Sequence, residues 1–166
     1  MSDSIQPIYV HWGSSLVKLS WKKKMNLPEP QLLSSAHGFC IYEGKLLMVY
    51  LNERGWDFPG GYLESGESPE TCFKREAMEE AFVEGKCSYL GCLEVDHHDN
   101  PAWNDNSPYP KVGYQVFYKM DIQTLYPFIV NDESSYRTLI HPIEVADYYK
   151  EWHPLYQLIL DDALLS

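Results

Sequence analysis

Residues Gly60 to Val83 read GGYLESGESPETCFKREAMEEAFV, and the architecture follows from how this stretch must fold. Paired glycines suit an irregular turn that exposes its backbone. Ser68, Pro69 and Glu70 then form a helix start: Ser caps free amides, Pro is tolerated at the first helical position, and an acid suits the positive end of the dipole. A helix is predicted from Pro69 to at least Ala81. At about 100° per residue, Glu76, Glu79 and Glu80 share one arc, Arg75 stands four residues before Glu79, and Ala77, Met78, Ala81 and Phe82 take the packing side. Three Glu on a helix can be a solvated acidic face. Hard divalent cations, however, take oxygen ligands and keep positions open for water and phosphate oxygens, and clustered carboxylates beside a backbone carbonyl supply that chemistry.

Working outward, Ala36 to Leu51 holds two apolar runs, HGFCIY and KLLMVYL, joined at Glu43 and Gly44, the pattern of a β-hairpin. Downstream, Cys87 to Asp96 and Lys111 to Asp121 read as strands, with Val112, Tyr114, Val116, Tyr118 and Met120 alternating. Asn100 to Pro110 is a loop, Leu139 to His141 a further short strand, and Pro142 to Lys150 and Pro154 to Leu165 are helical. Mixed strands and helices imply an α+β or layered α/β/α domain. The Pro-containing stretch Asn26 to Gln31 marks a boundary, so residues 1–35 read as an N-terminal extension packed on or flanking a main domain of residues 36–166.

The chain has 166 residues, 24 acidic against 13 basic, and a formal charge of -11, a field that repels polyanions. A nucleic acid polymer is therefore not an expected partner, and a small anionic substrate needs local screening by Lys, Arg or bound cations. There is no signal-like start and no apolar run long enough to cross a bilayer, so no membrane association and a cytoplasmic location are expected. Four cysteines, Cys40, Cys72, Cys87 and Cys92, form no dense disulfide framework. Cys87 and Cys92 followed by His97 and His98 could suggest zinc, but on a regular strand an odd separation points the two thiols to opposite faces. The Trp21 to Lys24 run could touch phosphate, although a solvated basic turn is the simpler reading.

Gly61, five residues, Glu67, seven residues, then Arg75-Glu76-Ala77-Met78-Glu79-Glu80-Ala81-Phe82-Val83 resembles the Nudix box, G-x5-E-x7-R-E-U-x-E-E-x-G-U. Every charged position and both spacings match. The likeness extends weakly from Ala36 to the C-terminal helix and leaves out the first thirty-odd residues. It implies the Nudix fold, an α/β/α sandwich with a mixed β-sheet. Phe82 departs, standing where the family has Gly; with Gly85 available downstream, the helix is expected to run through Phe82, which packs inward, and to end near Glu84.

The resemblance implies a hydrolase of small-molecule diphosphate substrates. Glu76, Glu79 and Glu80, with the carbonyl oxygen of Gly60, would hold Mg²⁺ or Mn²⁺, while Glu67 and Arg75 would orient the ligands and water would attack phosphorus. Glu79 could also act as the base; a rival is Glu133, on the NDESSYR loop where some relatives carry that acid, and Glu144 is a weaker one. Arg54 could contact phosphate, and Trp103 and Tyr109 could stack on a base or sugar. His97 and His98 read as loop residues. The alternatives are a non-catalytic nucleotide or metal sensor, which loss of box carboxylates would signal, and an isopentenyl-diphosphate isomerase, which needs a catalytic thiol that cannot be placed. The group attached to the diphosphate is left open, and a homo-oligomer paired through the N-terminal extension stays open too.

Overall fold

The computed structural model describes residues 6–166. The chain forms strands β1 (Ile8–Trp12), β2 (Ser15–Lys23), β3 (Leu33–Tyr42), β4 (Lys45–Leu51), β5 (Gly55–Asp57), β6 (Gly60–Tyr62), β7 (Val83–Asp96), β8 (Val112–Leu125) and β9 (Ser134–Ile140). Helix α1 (Pro69–Ala81) follows β6; α2 (Val145–Tyr148) and α3 (Pro154–Leu165) follow β9. All nine strands join one mixed sheet in the order β1-β2-β7-β8-β3-β4-β5, with β6 on β3 and β9 on β4; β3 and β8 run parallel. Two helical layers cover it, as an α/β/α sandwich requires. Alternation along β4 shows why: Leu46 and Met48 join Phe39, Phe117, Leu155 and Ile159 on the α3 side, while Leu47 and Val49 join Phe73, Ala77 and Ala81 on the α1 side. Among the described residues, no helix is long and apolar enough to cross a membrane.

The expected hairpin is β3 and β4, turning at Glu43 and Gly44, both with positive φ as a tight two-residue turn demands. One edge of β3 is then shared. Ile41 and Tyr42 pair with β4, whereas Ser35, Ala36 and His37 pair with β6. The sheet splays between them, and Gly38 N donates to Pro59 O across the split at 3.2 Å. A Cβ on Gly38 would meet Tyr118 O at 2.4 Å and the Phe73 ring at 2.5 Å, so glycine there lets α1 lie close against the sheet.

Helix α1 starts as its sequence demands, with Ser68 Oγ accepting from Thr71 N at 3.2 Å and Pro69 in the first turn. Its end corrects the expectation. The helix stops at Ala81, and Phe82 adopts the left-handed conformation, φ 57 and ψ 45, with its N–H on Met78 O at 3.1 Å. Strand β7 begins at the next residue, Val83 opposite Leu125, so the chain must reverse at position 82 whatever residue stands there. Phe82 is half-buried, edge-on to Phe128 at 5.6 Å. Gly85 serves elsewhere: a Cβ on it would lie 2.0 Å from Asp121 O. Because an L side chain in this region costs about 1–2 kcal/mol, Phe82→Gly is expected to be more stable than Phe82→Ala by about 1 kcal/mol in chemical unfolding, although both lose the ring. The opposite order would show that the left-handed turn is unstrained.

Cys87 and Cys92 also depart from the expected opposite faces. A bulge between Tyr89 and Gly91 shifts the β7 register, so Cys87 faces Met120 and Cys92 faces Val116, positions four apart on β8. Both thiols therefore point to the α1 side, where they pack in the same cluster.

Candidate active site

The segment from Gly55 to Glu67, which includes β5 and β6, lies across the splayed end of the sheet, and α1 carries the carboxylates against it. Arg75 is the hub. Its Nε donates to Glu67 Oε2 at 2.6 Å, Nη2 to Glu67 Oε1 at 3.0 Å and to Tyr62 O at 3.3 Å, and Nη1 to Glu76 Oε1 at 2.7 Å and Glu79 Oε2 at 3.3 Å. Glu67 also accepts from Glu64 N at 2.9 Å, so the segment before the helix is tied to the helix face. The Arg75 guanidinium and that amide hold the Glu67 carboxyl down to about 2.

Glu80 is buried, and its Oε1 accepts from Gly60 N at 3.0 Å. Burial, then the charges of Glu76, Glu133 and Asp57, push its carboxyl up to about 8 against the lowering effect of the Gly60 amide. Burial likewise pushes Glu76 up to about 7, with Glu79 adding to the rise and Arg75 opposing it. Two partly desolvated carboxylates with raised affinity for a proton are groups that a divalent cation would neutralise. The donor set is all oxygen and suits Mg²⁺ or Mn²⁺. Among the described residues, no three His, Cys, Asp or Glu side chains are already gathered round one point. Glu76 and Glu79 face Arg75 while Glu80 faces Gly60, so holding an ion requires side-chain rotation.

The two glycines have different neighbours. A Cβ on Gly61 would meet the Glu76 carboxylate, Oε2 at 2.0 Å, which is the movable end of a side chain. A Cβ on Gly60 would meet His37 Nδ1 at 2.3 Å and the backbone oxygen of Ala36 at 2.7 Å. Gly61→Ala is thus expected to leave the melting temperature nearly unchanged yet lower turnover roughly 100-fold by displacing Glu76. Gly60→Ala should cost about 1–3 kcal/mol of stability as well. Equal turnover of Gly61→Ala and parent would remove Glu76 from the working site.

Of the other sequence-level candidates, Arg54 is exposed, lies 3.7 Å from Asp57 and lines a cleft beside the glycine loop. Glu133 is exposed on a turn held by Asn131; its carbonyl accepts from Asn52 N, and the adjacent Ser134 Oγ donates to Glu80 O at 2.7 Å. That places Glu133 beside the far end of α1, near enough for its charge to act on Glu80. Tyr109 lines a second lobe of the cleft and packs against His97, ring centroids 4.6 Å apart and tilted by 34°. Trp103 does not line either lobe: its indole N–H donates to Tyr109 O at 3.1 Å and its ring faces Lys111, so it braces the loop. Glu144 caps its own turn, accepting from His141 N. Trp21 packs in the core, with Lys22, Lys23 and Lys24 exposed.

Sequence reasoning missed several cleft residues. His37, Asp57, Phe58, Tyr62, Gln115, Phe117, Tyr149 and Tyr156 join Trp12 and Arg54 around a cavity of about 420 Å³. Burial, aided by the charge of Arg54, lowers His37 to about 4, so it is neutral at pH 7. Asp57 and Phe58 lie in the WDFPGG turn, whose position just before the glycines is a usable signal; Trp12, Tyr149 after α2 and Tyr156 on α3 offer none.

The NUDIX domain family model matches residues 33–165 of this chain. No curated protein matches it by sequence. Among solved structures, the pyrophosphohydrolase BsRppH of Bacillus subtilis, a mutant form, is similar with a TM-score of 0.66 and 22% identity over 89% of each chain. A MutT NUDIX hydrolase from Burkholderia pseudomallei is similar with a TM-score of 0.53 and 14% identity, covering 78% of this chain and 97% of that one. At these identities both likenesses speak for the fold.

Proposed function

Since the chain belongs to the Nudix family, we propose that it is a divalent-metal-dependent hydrolase of a diphosphate bond in a nucleoside diphosphate linked to another group. The observation that carries this reading is the complete carboxylate face of α1, Glu76, Glu79 and Glu80, set against Gly60 and Gly61 and tied through Arg75 to Glu67. A non-catalytic sensor would not need the whole set. The fold relatives BsRppH and MutT are named as a pyrophosphohydrolase and a hydrolase, which agrees.

Mg²⁺ or Mn²⁺, when bound, would supply Lewis-acid chemistry, offsetting charge that develops in the transition state and acidifying water. Glu76, Glu79 and Glu80, with the Gly60 carbonyl, would hold the ion. Arg75, anchored by Glu67, would position Glu76 and Glu79, and the Gly60 amide would position Glu80. Glu79, the most exposed of the three, would take a proton from attacking water, with Glu133 as the rival base. Arg54 would meet a phosphate at the cleft mouth. Water would be the nucleophile; burial raises all four cysteines, Cys72 to about 12 and Cys87 to about 11, which agrees with no thiolate taking that part.

The test is a panel of oxidised deoxynucleoside triphosphates, nucleotide sugars, ADP-ribose and dinucleoside polyphosphates with Mg²⁺ or Mn²⁺. Turnover of at least one, yielding two phosphate-bearing products, is expected. Binding without turnover across the panel would favour the sensor.

A further inference from the structure

The N-terminal hairpin lies outside the family match, which begins at residue 33, yet it reaches the cleft. β2 pairs with β7 through Lys18 opposite Asp96 and onward to Lys23 opposite Gly91, and β1 pairs with β2. This places Trp12, at the end of β1, on the wall of the 420 Å³ lobe and of an adjoining lobe of about 290 Å³. Among the described residues, only Trp12, Tyr62 and Gln115 line both lobes. Trp12 is 37% exposed and Tyr62 76% exposed, so neither side chain is consumed by the core and both are accessible at the cleft.

Tyr62 joins the cleft to the proposed metal site, since its carbonyl accepts from Arg75 and its neighbour Gly61 abuts Glu76. The nucleoside part of a substrate whose diphosphate is held at α1 would extend past Tyr62 into the cleft whose wall Trp12 forms. Exposed rings flanking a cavity of this size suit a flat, weakly solvated group, and Gln115, with one acceptor and two donor positions, suits its hydrogen-bonding edge. A phosphate or a bare sugar offers no face to stack.

We propose that Trp12 of the N-terminal hairpin, with Tyr62, forms a stacking site for the nucleobase of the substrate, and that Gln115 reads the edge of that base. This inference rests on the diphosphate site described above. It makes the hairpin a determinant of specificity.

The test uses calorimetric titration of the whole chain in Mg²⁺ with two probes that cannot be hydrolysed: the α,β-methylene analogue of ADP, and methylenediphosphonate, which has the diphosphate geometry without a base. The parent should bind the nucleotide analogue more tightly. Trp12→Ala should weaken the analogue roughly 5- to 150-fold, the range of one base–aromatic stack, and Trp12→Phe should retain most of the affinity. Methylenediphosphonate should bind parent and both variants alike, which also shows that the variants fold; Tyr62→Ala, at a more exposed position, should give the same selective loss. Equal analogue affinity in parent and Trp12→Ala, or no preference of the parent for the analogue, would overturn the stacking site while leaving the diphosphate site standing. Parent binding of neither probe would overturn both.

Discussion

Glu80→Gln is expected to abolish turnover, by at least about 100-fold, while making the metal-free protein more stable at neutral pH. The two effects share one cause. Glu80 is buried, and its carboxyl is pushed up to about 8, first by burial and then by Glu76, Glu133 and Asp57. A carboxyl raised in the folded state gives up its proton first in the unfolded chain. Folding stability therefore falls as pH rises from about 4.5 to about 8, and no penalty exists below about 4.5, where both states are protonated. Gln cannot ionise but can still accept from Gly60 N. At pH 7 the variant should gain at most about 3 kcal/mol, seen as a rise of several degrees in melting temperature, and at pH 4 the gain should vanish. Mg²⁺ should raise the melting temperature of the parent by mass action and do so less in the variant. A solvated acidic face predicts no loss of turnover and no difference in the Mg²⁺ response.

Arg75→Gln should act in the opposite direction on stability. Arg75 neutralises Glu67, Glu76 and Glu79 at once, with 23% of its side chain exposed, and removing it leaves three carboxylates facing one another. Loss of one partner from a largely buried ionic cluster costs about 3 kcal/mol, or roughly 6–12 °C in a chain of this length. Its pH signature comes from Glu67, whose folded value is lowered to about 2 mainly by the Arg75 hydrogen bond. Such a group contributes stability above about 4.5 that disappears as pH falls through about 2. The deficit of the variant should therefore be full at neutral pH and close toward pH 2. A deficit that stays constant across that range would show that Arg75 acts by packing rather than by charge.

The centre of the site was legible because local rules govern it. Helical period alone aligns Glu76, Glu79 and Glu80, the Ser68-Pro69 start sets where the helix begins, and the β3–β4 turn at Glu43 and Gly44 is local chemistry. Failures came where distant pairing decided the outcome. Phe82 was read by its own preference, but β7 opens at Val83 against Leu125, and that register forces the turn onto a bulky residue. The face of Cys92 depended on a bulge for which Gly91, a glycine inside a strand, was the one available sign. Trp12 reaches the cleft through pairing of residues 18–23 with residues 91–96, a contact no short-range pattern encodes. The cleft needed the whole sheet; the carboxylate face needed one helix.

The measurement closest to the central claim is turnover of the best panel substrate in ¹⁸O-labelled water, with Mg²⁺ and with excess chelator. The account predicts that turnover requires Mg²⁺, is lost in chelator, and places one labelled oxygen on phosphorus in one of two phosphate-bearing products. Undiminished turnover in chelator, or label on a carbon atom of the attached group, would contradict it.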